Sequence, residues 1–325
     1  MSIDIVTFTM NPAVDVFGVT DEIFDDSKSR CDKASSEPGG GGINVARNIQ
    51  RMGSQTMAVF PAGGVNGALL KKLLAADKTP FTAIEVADET RQNFAITERK
   101  RKVMHHFVFP GPVLSETEFQ QCQDSIFSCA PQPRYLVLSG SLPSTVPVTF
   151  YREVITKANQ KGTQVMLDTS GPALSESLFA GAYLAKLNRK EFASLANTFN
   201  NNPSGFDEHA DMETLYQQMK GLVAKGAVQV LIVTLSRGGA MLVSANGEAY
   251  LYTAPKVHIV SHVGAGDSFM SALVHQLNQD AELKTAAHYG VAAAAVTVQL
   301  EGNQLTDLNW LERMCKEVHC ESLKD

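Results

Sequence analysis

The hydrophobic and polar positions of this chain form short apolar runs that alternate with amphipathic stretches. Six runs are apolar almost throughout, as expected for strands that are covered on both faces of a sheet. They occupy residues 4–10, 56–61, 134–140, 163–168, 183–188 and 228–235. Helical spacing is clear where Val45, Ile49 and Met52 share one face and Gly53 is placed to end the helix. This alternation predicts an α/β fold with a mainly parallel, layered sheet.

Two segments depart from this alternation. Residues 89–110 predict two strands on either side of the charged turn ERKRK, and residues 14–36 look extended, without helical periodicity. We interpret both segments as a small β-sheet lid inserted into a main domain. That main domain would comprise residues 1–13, 37–88 and 111–325.

The predicted lid carries more apolar positions than a single small sheet can cover. These positions are Phe94, Ile96, Val103 and Phe107. A small sheet with one bare apolar face is poorly stable in water, and pairing across a two-fold axis would bury that face. The sequence therefore predicts a homodimer formed through the lid.

The composition of the chain argues against several classes of protein function. The 325 residues are 44% hydrophobic and 19% charged, and the formal net charge is -6. A negative balance argues against nucleic acid or an anionic membrane as the main partner. No apolar stretch reaches the roughly 18 residues of a membrane span, and the start of the chain does not resemble a signal peptide. The five cysteines show no zinc spacing, so we expect a reduced, cytoplasmic protein that acts on small molecules.

The stretch SHVGAGDSFMSALVHQL, residues 261–277, is the strongest candidate for chemistry. A Gly-Ala-Gly turn leads into an amphipathic helix, so the amides of Gly264, Ala265 and Gly266 can converge on an anion. Asp267 would then place a carboxylate beside an anion site, where it could take a proton from an attacking hydroxyl. The alternative is that Asp267 simply caps the helix.

Two further stretches are candidates for phosphate or metal chemistry. KLNRKE ends a predicted strand, and its Asn188 and Glu191 could lie near hydrated Mg²⁺ or form a plain strand-to-helix cap. EPGGGGINVARNIQRMG places four glycines before a helix, which favours close approach of the backbone over a flexible loop. It is not a dinucleotide fingerprint, because Asn44 stands where the last glycine should be, and the chain has no P-loop motif.

Scattered polar side chains follow several predicted strands. Such strand ends and neighbouring loops are where open α/β sheets bind ligands. The candidates are Asp15 after the first strand, Lys28 and Arg30 in the lid, Arg91, and the pair Ser139 and Ser141.

Together these motifs resemble the ribokinase/PfkB family of sugar kinases over nearly the whole chain. VGAGDS resembles the C-terminal signature of the family and GGGGINVARNIQRMG its N-terminal signature, with NxxE between them. The resemblance implies a ribokinase-like three-layer sandwich with a small β-sheet lid, which uses ATP and Mg²⁺. A glycine replaces the lysine of the usual GGKGxN pattern. The stretches TRQN and FPGPVLSETEF add to the resemblance. These features point to the branch that phosphorylates fructose 6-phosphate at C1.

The resemblance assigns roles to individual residues on the sugar side. It implies that Gly40 and Gly41 approach the sugar hydroxyls, that Asp15 and Asn44 bind them, and that Asp267 is the base. It also implies that Arg91 and Ser141 bind the distal phosphate, and that Lys28 reaches a partner subunit's substrate.

The nucleotide and metal sides follow in the same way. The residues implied for nucleotide binding are Lys186, Asn188, Thr234, Ser236 and Gly239, and Glu191 would act on Mg²⁺ indirectly. A monovalent cation, K⁺, is frequent in the family and is held mainly by backbone carbonyls. The matching positions are Ser261, Val263, Thr297, Leu300, Gly302 and Gln304.

Departures from the family pattern leave other substrates open. Ser261-His262 replaces a common Asp-Thr pair, Ser236 stands where glycine is frequent, and His106 stands where a relative has arginine. The same chemistry on tagatose 6-phosphate or fructose 1-phosphate is therefore an alternative. An inactive sugar-phosphate sensor would need a lost base or a broken anion hole, and Asp267 and its glycines are intact.

Overall fold

The computed structural model describes residues 3–129, 131–200, 207–236, 238–300 and 307–323, together with residues 302 and 305. Within them the chain forms two sheets, a large one covered by helices on both faces and a small four-stranded one. This is the predicted α/β class with a second, separate small sheet.

The large sheet has ten strands in the described residues. In order across the sheet these are β14 (His319–Ser322), β13 (Ala249–Thr253), β12 (Ala240–Ser244), β11 (Val230–Thr234), β10 (Leu184–Asn188), β9 (Gln164–Asp168), β8 (Tyr135–Ser139), β1 (Ile5–Phe8), β4 (Thr56–Ala62) and β5 (Phe81–Glu85). The seven strands from β5 to β11 are parallel, and β12 to β14 continue the sheet in antiparallel pairs.

Helices cover both faces of this sheet and give the three layers. The helices on one face are α3 (Glu116–Ile126), α4 (Phe150–Gln160), α5 (Gly171–Ser177), α6 (Arg189–Asn200) and α7 (Met212–Ala224). Those on the other are α1 (Gly41–Arg51), α8 (Ala265–Asn278), α9 (Leu283–Thr297) and α10 (Leu308–Cys315). Helix α2 (Gly64–Ala76) packs with α1 on β4 in a third apolar cluster, which Val14 joins.

All six strands predicted from the apolar runs are present, and each of their ends lies within two residues of the predicted one. Their side chains are buried on both faces because helices lie above and below, and β8 is buried along its whole length. Strands β5 and β14 are missing from the sequence prediction. Both lie at edges of the sheet and are partly exposed, so their side chains do not form a continuous apolar run.

The small sheet consists of β3 (Cys31–Gly39), β2 (Ala13–Thr20), β6 (Arg91–Glu98) and β7 (Val103–Phe107), in that order. The predicted pair of strands around the charged turn is confirmed by β6 and β7. Strands β2 and β6 run parallel, so Ala13 faces Arg91 and Asp15 faces Asn93 across them. This register brings polar side chains of two separate segments to the same end of the two inner strands of the small sheet. The division into domains at the predicted boundaries stays a prediction.

Among the helices of the described residues, none combines the length and the apolarity required to cross a membrane.

Candidate active site

A cleft lies between the small sheet and the carboxyl ends of the parallel strands. It encloses about 550 Å³. The small sheet contributes Asp15, Arg91, Asn93 and His106 to its wall, and the large sheet contributes residues that follow β8 and β9. Ligands of open α/β sheets bind at this edge, so the position matches the expectation from the strand ends.

Asp267 lies in the first turn of α8 and lines this cleft. The residue that caps α8 is Gly264, whose φ of 76° is left-handed, so the alternative that Asp267 is merely the cap is wrong. The Asn44 amide donates a hydrogen bond to the Asp267 carboxylate at 2.9 Å. Burial raises the pKa of Asp267 to about 7 and the nearby Asp168 carboxylate adds to the rise, against the opposing effects of Asn44 and Lys186. A carboxyl with such a pKa can accept a proton near neutral pH.

Lys186 brings a positive charge to the same end of the cleft. Its ammonium lies 2.9 Å from an oxygen of Asp168, and its side chain is 7% exposed. Burial lowers the pKa of Lys186, but the carboxylates of Asp168, Glu191 and Asp267 together outweigh this, so the pKa is raised and the lysine stays charged. A Cβ atom added to Gly266 would lie 3.1 Å from the Lys186 nitrogen. The ammonium and the first amides of α8 therefore form one electropositive corner beside Asp267.

The glycine run 39–42, in which α1 begins, lies in crowded surroundings. A Cβ atom at Gly39 would overlap the Asp15 carboxylate, one at Gly41 the Ser139 hydroxyl, and one at Gly42 the Phe8 carbonyl. The run is therefore not a flexible loop. Since α1 begins within it, the backbone passes directly under the cleft and places Asn44 against Asp267.

Arg91 lies at the small-sheet end of the cleft. Its guanidinium donates to the carbonyls of Phe109 and Asn11, each at 3.0 Å. The Asn11 amide in turn donates to the Ser141 hydroxyl at 3.1 Å, so Arg91 and Ser141 are held through one residue. The buried Nε of Arg91 has no hydrogen-bond partner among the described residues. Each terminal nitrogen also carries a second N–H, so this guanidinium has donor capacity left for an anion.

Asp15 lies beside Arg91 and accepts a 2.9 Å hydrogen bond from Asn93. Burial raises the pKa of the Asp15 carboxyl, while the Asn93 bond and the charges of His106 and Arg91 oppose the rise. Burial also lowers the pKa of Arg91, and the Asp15 carboxylate counteracts this. The arrangement offers a carboxylate for hydroxyl groups next to a cation for a phosphate.

Asn188 and Glu191 form the strand-to-helix cap that was the alternative to a metal role. Asn188 N–H donates to the Glu191 carboxylate at 2.8 Å, and Glu191 N–H donates to the Asn188 side chain at 2.9 Å. Glu191 nevertheless lines the cleft, and burial raises the pKa of its carboxyl. Capping and metal binding do not exclude each other, because one carboxylate has two oxygens and about four lone pairs.

The other predicted nucleotide residues lie outside the wall of the main cavity. Asn188 lines an adjoining cavity of about 230 Å³. The Thr234 hydroxyl donates to the Leu187 carbonyl at 3.3 Å, at the end of β11. Ser236 is exposed in the following turn, and Gly239, with φ of 103°, packs its backbone against the Tyr252 carbonyl. These four residues lie at or just beyond the carboxyl ends of β10 and β11, beside the main cavity.

Two segments are predicted to hold a monovalent cation. One precedes α8, and the other begins at the end of α9. The N–H groups of Val260 and Ser261 donate to the Val298 carbonyl at 2.7 and 3.1 Å, which joins the two parts. The predicted positions in the described residues are Ser261, Val263, Thr297, Leu300 and Gly302, and Gln304 lies outside the described residues. Within the described ranges, no three His, Cys, Asp or Glu side chains cluster closely enough to bind a metal by themselves.

Among the residues predicted for the sugar side, Lys28 does not line the cleft of its own chain. It is exposed in the connection between β2 and β3, as is Arg30. In the other direction, sequence reasoning missed Asp168, Asn93 and His262, which all line the cleft. Asp168 could have been found, because a carboxylate at the end of a parallel strand is the same signal that selected its neighbours.

Comparison with known proteins agrees with this geometry. The model of pfkB family carbohydrate kinases matches residues 2–310. The chain is 34% identical to ATP-dependent 6-phosphofructokinase isozyme 2 of Escherichia coli over 302 residues, which are 93% of this chain and 94% of that protein. It is 27% identical to 1-phosphofructokinase of Bacillus subtilis, over 97% of this chain and 98% of that protein.

A solved structure gives the same result for the fold. The crystal structure of phosphofructokinase-2 from Escherichia coli in complex with potassium superposes with a TM-score of 0.88 at 33% identity. The alignment covers 97% of this chain and 98% of that one.

Proposed function

This chain belongs to the pfkB family of carbohydrate kinases, and we propose that within it the protein transfers a phosphoryl group from ATP to the C1 hydroxyl of fructose 6-phosphate. The observation that carries the proposal is that the Asp267 carboxylate, at the start of α8, lines the same cleft as the Arg91 guanidinium. A base and an anion-binding guanidinium in one cavity suit a substrate that has both a reacting hydroxyl and a phosphate.

The reaction follows from the groups around Asp267. The C1 oxygen attacks the γ-phosphorus, the bond from this phosphorus to the β–γ bridging oxygen breaks, and the hydroxyl proton passes to the Asp267 carboxylate. The amides of Gly264, Ala265 and Gly266, together with Lys186, would face the charge on the transferred group. Preorganised donors of this kind stabilise the transition state because they need no reorganisation during the reaction.

Substrate orientation would come from the small sheet and α1. Asp15 and Asn44 would bind hydroxyl groups beside Gly40 and Gly41, and Arg91 with Ser141 would bind the phosphate. Arg91 lies on β6 of the small sheet and lines the same cleft as Asp267, which supports this direction of binding.

The donor would enter along β10 and β11, where Lys186, Asn188, Thr234, Ser236 and Gly239 lie. Glu191 and Asp168 offer carboxylates, which suits Mg²⁺ because this ion typically uses one or two carboxylates together with waters and phosphate oxygens. When bound, Mg²⁺ would neutralise charge on the phosphates. The loops around Ser261 and Thr297 would hold K⁺ through carbonyls, and Lys28 of one subunit would serve the cleft of a partner.

Another ketose phosphate remains the competing substrate, since a relative at 27% identity is a 1-phosphofructokinase. Glycine in place of the lysine of the GGKGxN pattern favours fructose 6-phosphate. Initial rates on fructose 6-phosphate, tagatose 6-phosphate and fructose 1-phosphate, measured side by side, decide between them. A sensor without activity is disfavoured, because its base and glycines would not need to be intact.

The decisive experiment is the Asp267→Asn variant. The amide is nearly isosteric with the carboxyl but cannot accept the proton, and a positioned base contributes roughly 10² to 10⁴ in rate. We expect kcat to fall by about that factor while fructose 6-phosphate still binds, as measured by calorimetry. A kcat within a few-fold of the wild type would refute Asp267 as the base.

A further inference from the structure

Helix α1 contacts α8 through two asparagines one turn apart. Asn44 donates to the Asp267 carboxylate at 2.9 Å, and Asn48 donates to the Ser268 hydroxyl at 3.2 Å. Residues four apart lie on the same face of a helix, so both side chains point at consecutive residues of α8. Asn44 is accounted for by the proposed reaction, whereas Asn48 does not line the cleft.

Asn48 belongs to a buried polar network that joins three parts of the chain. Its side-chain oxygen accepts a 3.0 Å hydrogen bond from the Leu305 N–H, and Ser268 accepts a second bond, at 2.7 Å, from the Thr297 hydroxyl. Asn48 is 1% exposed, and Ser268 and Thr297 are 0% exposed. Buried polar groups are stable only when paired, so this network fixes the relative positions of α1, α8 and the end of α9.

We propose that Asn48 is a positioning residue, which fixes α1 against α8 so that the Asn44 amide stays on the Asp267 carboxylate. The bond from Asn48 ends on Ser268, the residue next to Asp267, so a slip of α1 along α8 would displace Asn44 by the same amount. A hydrogen bond weakens steeply with distance and angle, and a small slip is enough to lose it. The identity of Asp267 as the base rests on the proposed function, but the contact from Asn44 to Asp267 does not.

The same two helices supply a matched control at their other end. Ser54 follows α1 and lies 2.8 Å, through its hydroxyl, from the His275 ring on α8. Ser54 is 4% exposed, so it is as buried as the proposed residue. Ser54→Ala therefore removes a comparable bond between the same parts of the chain, about two helical turns from Asp267.

The experiment is a carboxyl ¹³C NMR titration of Asp267 in the full-length protein, with the signal identified by its loss in Asp267→Asn. The Asn44 bond lowers the pKa of Asp267, so Asn44→Ala should raise it by about one unit. We expect Asn48→Ala to raise the pKa in the same direction by a fraction of that shift. Ser54→Ala should leave the pKa unchanged, although it lowers the melting temperature.

The double variant separates positioning from general loosening. In the Asn44→Ala background, Asn48→Ala should add no further shift, because the bond through which it acts is gone. A shift that persists in this background, or an unchanged pKa in Asn48→Ala, would overturn the proposal. If Asn48→Ala does not fold, Ser268→Ala removes the same bond from the other side and gives the same test.

Kinetics distinguish this inference from the proposed function. The acid limb of kcat/KM for fructose 6-phosphate should move to higher pH in Asn48→Ala, with KM for ATP unchanged. If Asp267→Asn instead retains full turnover, the proposed base is wrong, while the NMR titration still reports whether Asn48 positions Asn44.

Discussion

At the scale of single residues, the cleft combines buried charged groups, each of which would destabilise the folded protein without the others. Asp267 lies near Asp168, and Lys186 lies within 2.9 Å of Asp168, so one lysine compensates two carboxylates. Burial keeps Asp267 partly protonated at neutral pH, which is unfavourable for stability but suitable for a base. Arg91 is likewise half-buried, and its guanidinium is held by two backbone carbonyls.

The raised pKa of Asp267 predicts a pH-dependent gain in stability on its replacement. The folded protein holds a proton on Asp267 up to about pH 7, whereas the unfolded chain releases it near pH 3.8. Stability from this group is therefore lost as pH rises through that window. Asp267→Asn cannot ionise, so its free energy of unfolding should exceed that of the wild type by an amount that grows between pH 4 and pH 7 and then levels off. Urea unfolding at several pH values measures this, and a pH-independent difference would contradict the raised pKa.

Replacement of Arg91 should weaken the binding of the phosphosugar selectively. A charged hydrogen bond contributes roughly 1.5 to 3 kcal/mol, so Arg91→Ala should raise KM for fructose 6-phosphate at least about tenfold. Lysine does not reproduce the planar fork, so Arg91→Lys should restore only part of the affinity. KM for ATP should stay near the wild-type value. Steady-state kinetics with each substrate varied in turn measure both effects.

Arg99 provides the control for Arg91. It lies in the turn between β6 and β7 of the small sheet, where it is exposed and pairs with Asp21 and Asp32. Arg99→Ala should change neither KM. If Arg91→Ala raised both KM values equally, Arg91 would instead be stabilising the small sheet through Asn11 and Phe109.

At the scale of elements, helix starts carry most of the candidate chemistry. Helix α1 brings Asn44, α8 brings Asp267, and α6 begins with the reciprocal pair Asn188 and Glu191. The amides of a first helical turn have no partner inside the helix, so each start is electropositive. Placing three such starts beside the carboxyl ends of parallel strands concentrates positive potential where phosphates would bind.

Two substitutions of Glu191 should separate its effect on stability from its effect on the Mg²⁺ requirement. Glu191→Gln keeps an oxygen that can accept from Asn188 N–H, so the melting temperature should stay close to the wild type. Loss of the charge should raise the Mg²⁺ concentration needed for half-maximal rate. Glu191→Ala should show the same Mg²⁺ effect and also lose about 1 kcal/mol from the cap.

Glu118 gives a matched cap away from the cleft. It forms the capping box of α3 with Ser115 and is absent from the wall of the main cavity. Glu118→Ala should lower stability without changing the Mg²⁺ requirement. An unchanged Mg²⁺ requirement in Glu191→Gln would assign Glu191 to the cap alone.

At the scale of the whole molecule, the small sheet stays incompletely covered by its own chain. Val103 and Phe107 on the edge strand β7 are 46% and 50% exposed. Lys28 is exposed in the same sheet's connection and does not reach the cleft of its own subunit. Both observations favour the predicted homodimer, in which the two small sheets cover each other and Lys28 serves the partner.

The dimer predicts that a charge on β7 weakens association. Val103→Lys should shift the protein towards monomer in sedimentation experiments and lower activity at nanomolar enzyme concentrations. Val148 is 47% exposed but lies in the connection from β8 to α4 rather than in the small sheet, so Val148→Lys should leave the sedimenting mass unchanged. If Val103→Lys sediments with the mass of the wild-type assembly and keeps its activity, an interface at strand β7 is excluded.

The pattern of apolar and polar residues is sufficient to assign the class of fold and several members of the site. A strand buried on both faces must be apolar along its whole length, so β1, β4, β8, β9, β10 and β11 were each visible as runs. The glycine turn before Asp267 and the cap pair at Asn188 were visible because their chemistry is local. Edge strands β5 and β14 were not, since partial exposure leaves no period that a sequence can show.

The way in which these local pieces combine depends on packing between distant parts of the chain. Asn44 and Asp267 are 223 positions apart in the chain, and their hydrogen bond depends on how α1 and α8 pack on one face of the sheet. The pKa of Asp267 depends on burial and on Asp168, neither of which a local motif specifies. The crowding at Gly41 by Ser139 likewise required the order of the strands. Local propensities act over a few residues, whereas burial and charge proximity are properties of the packed whole, and these set the chemistry of the cleft.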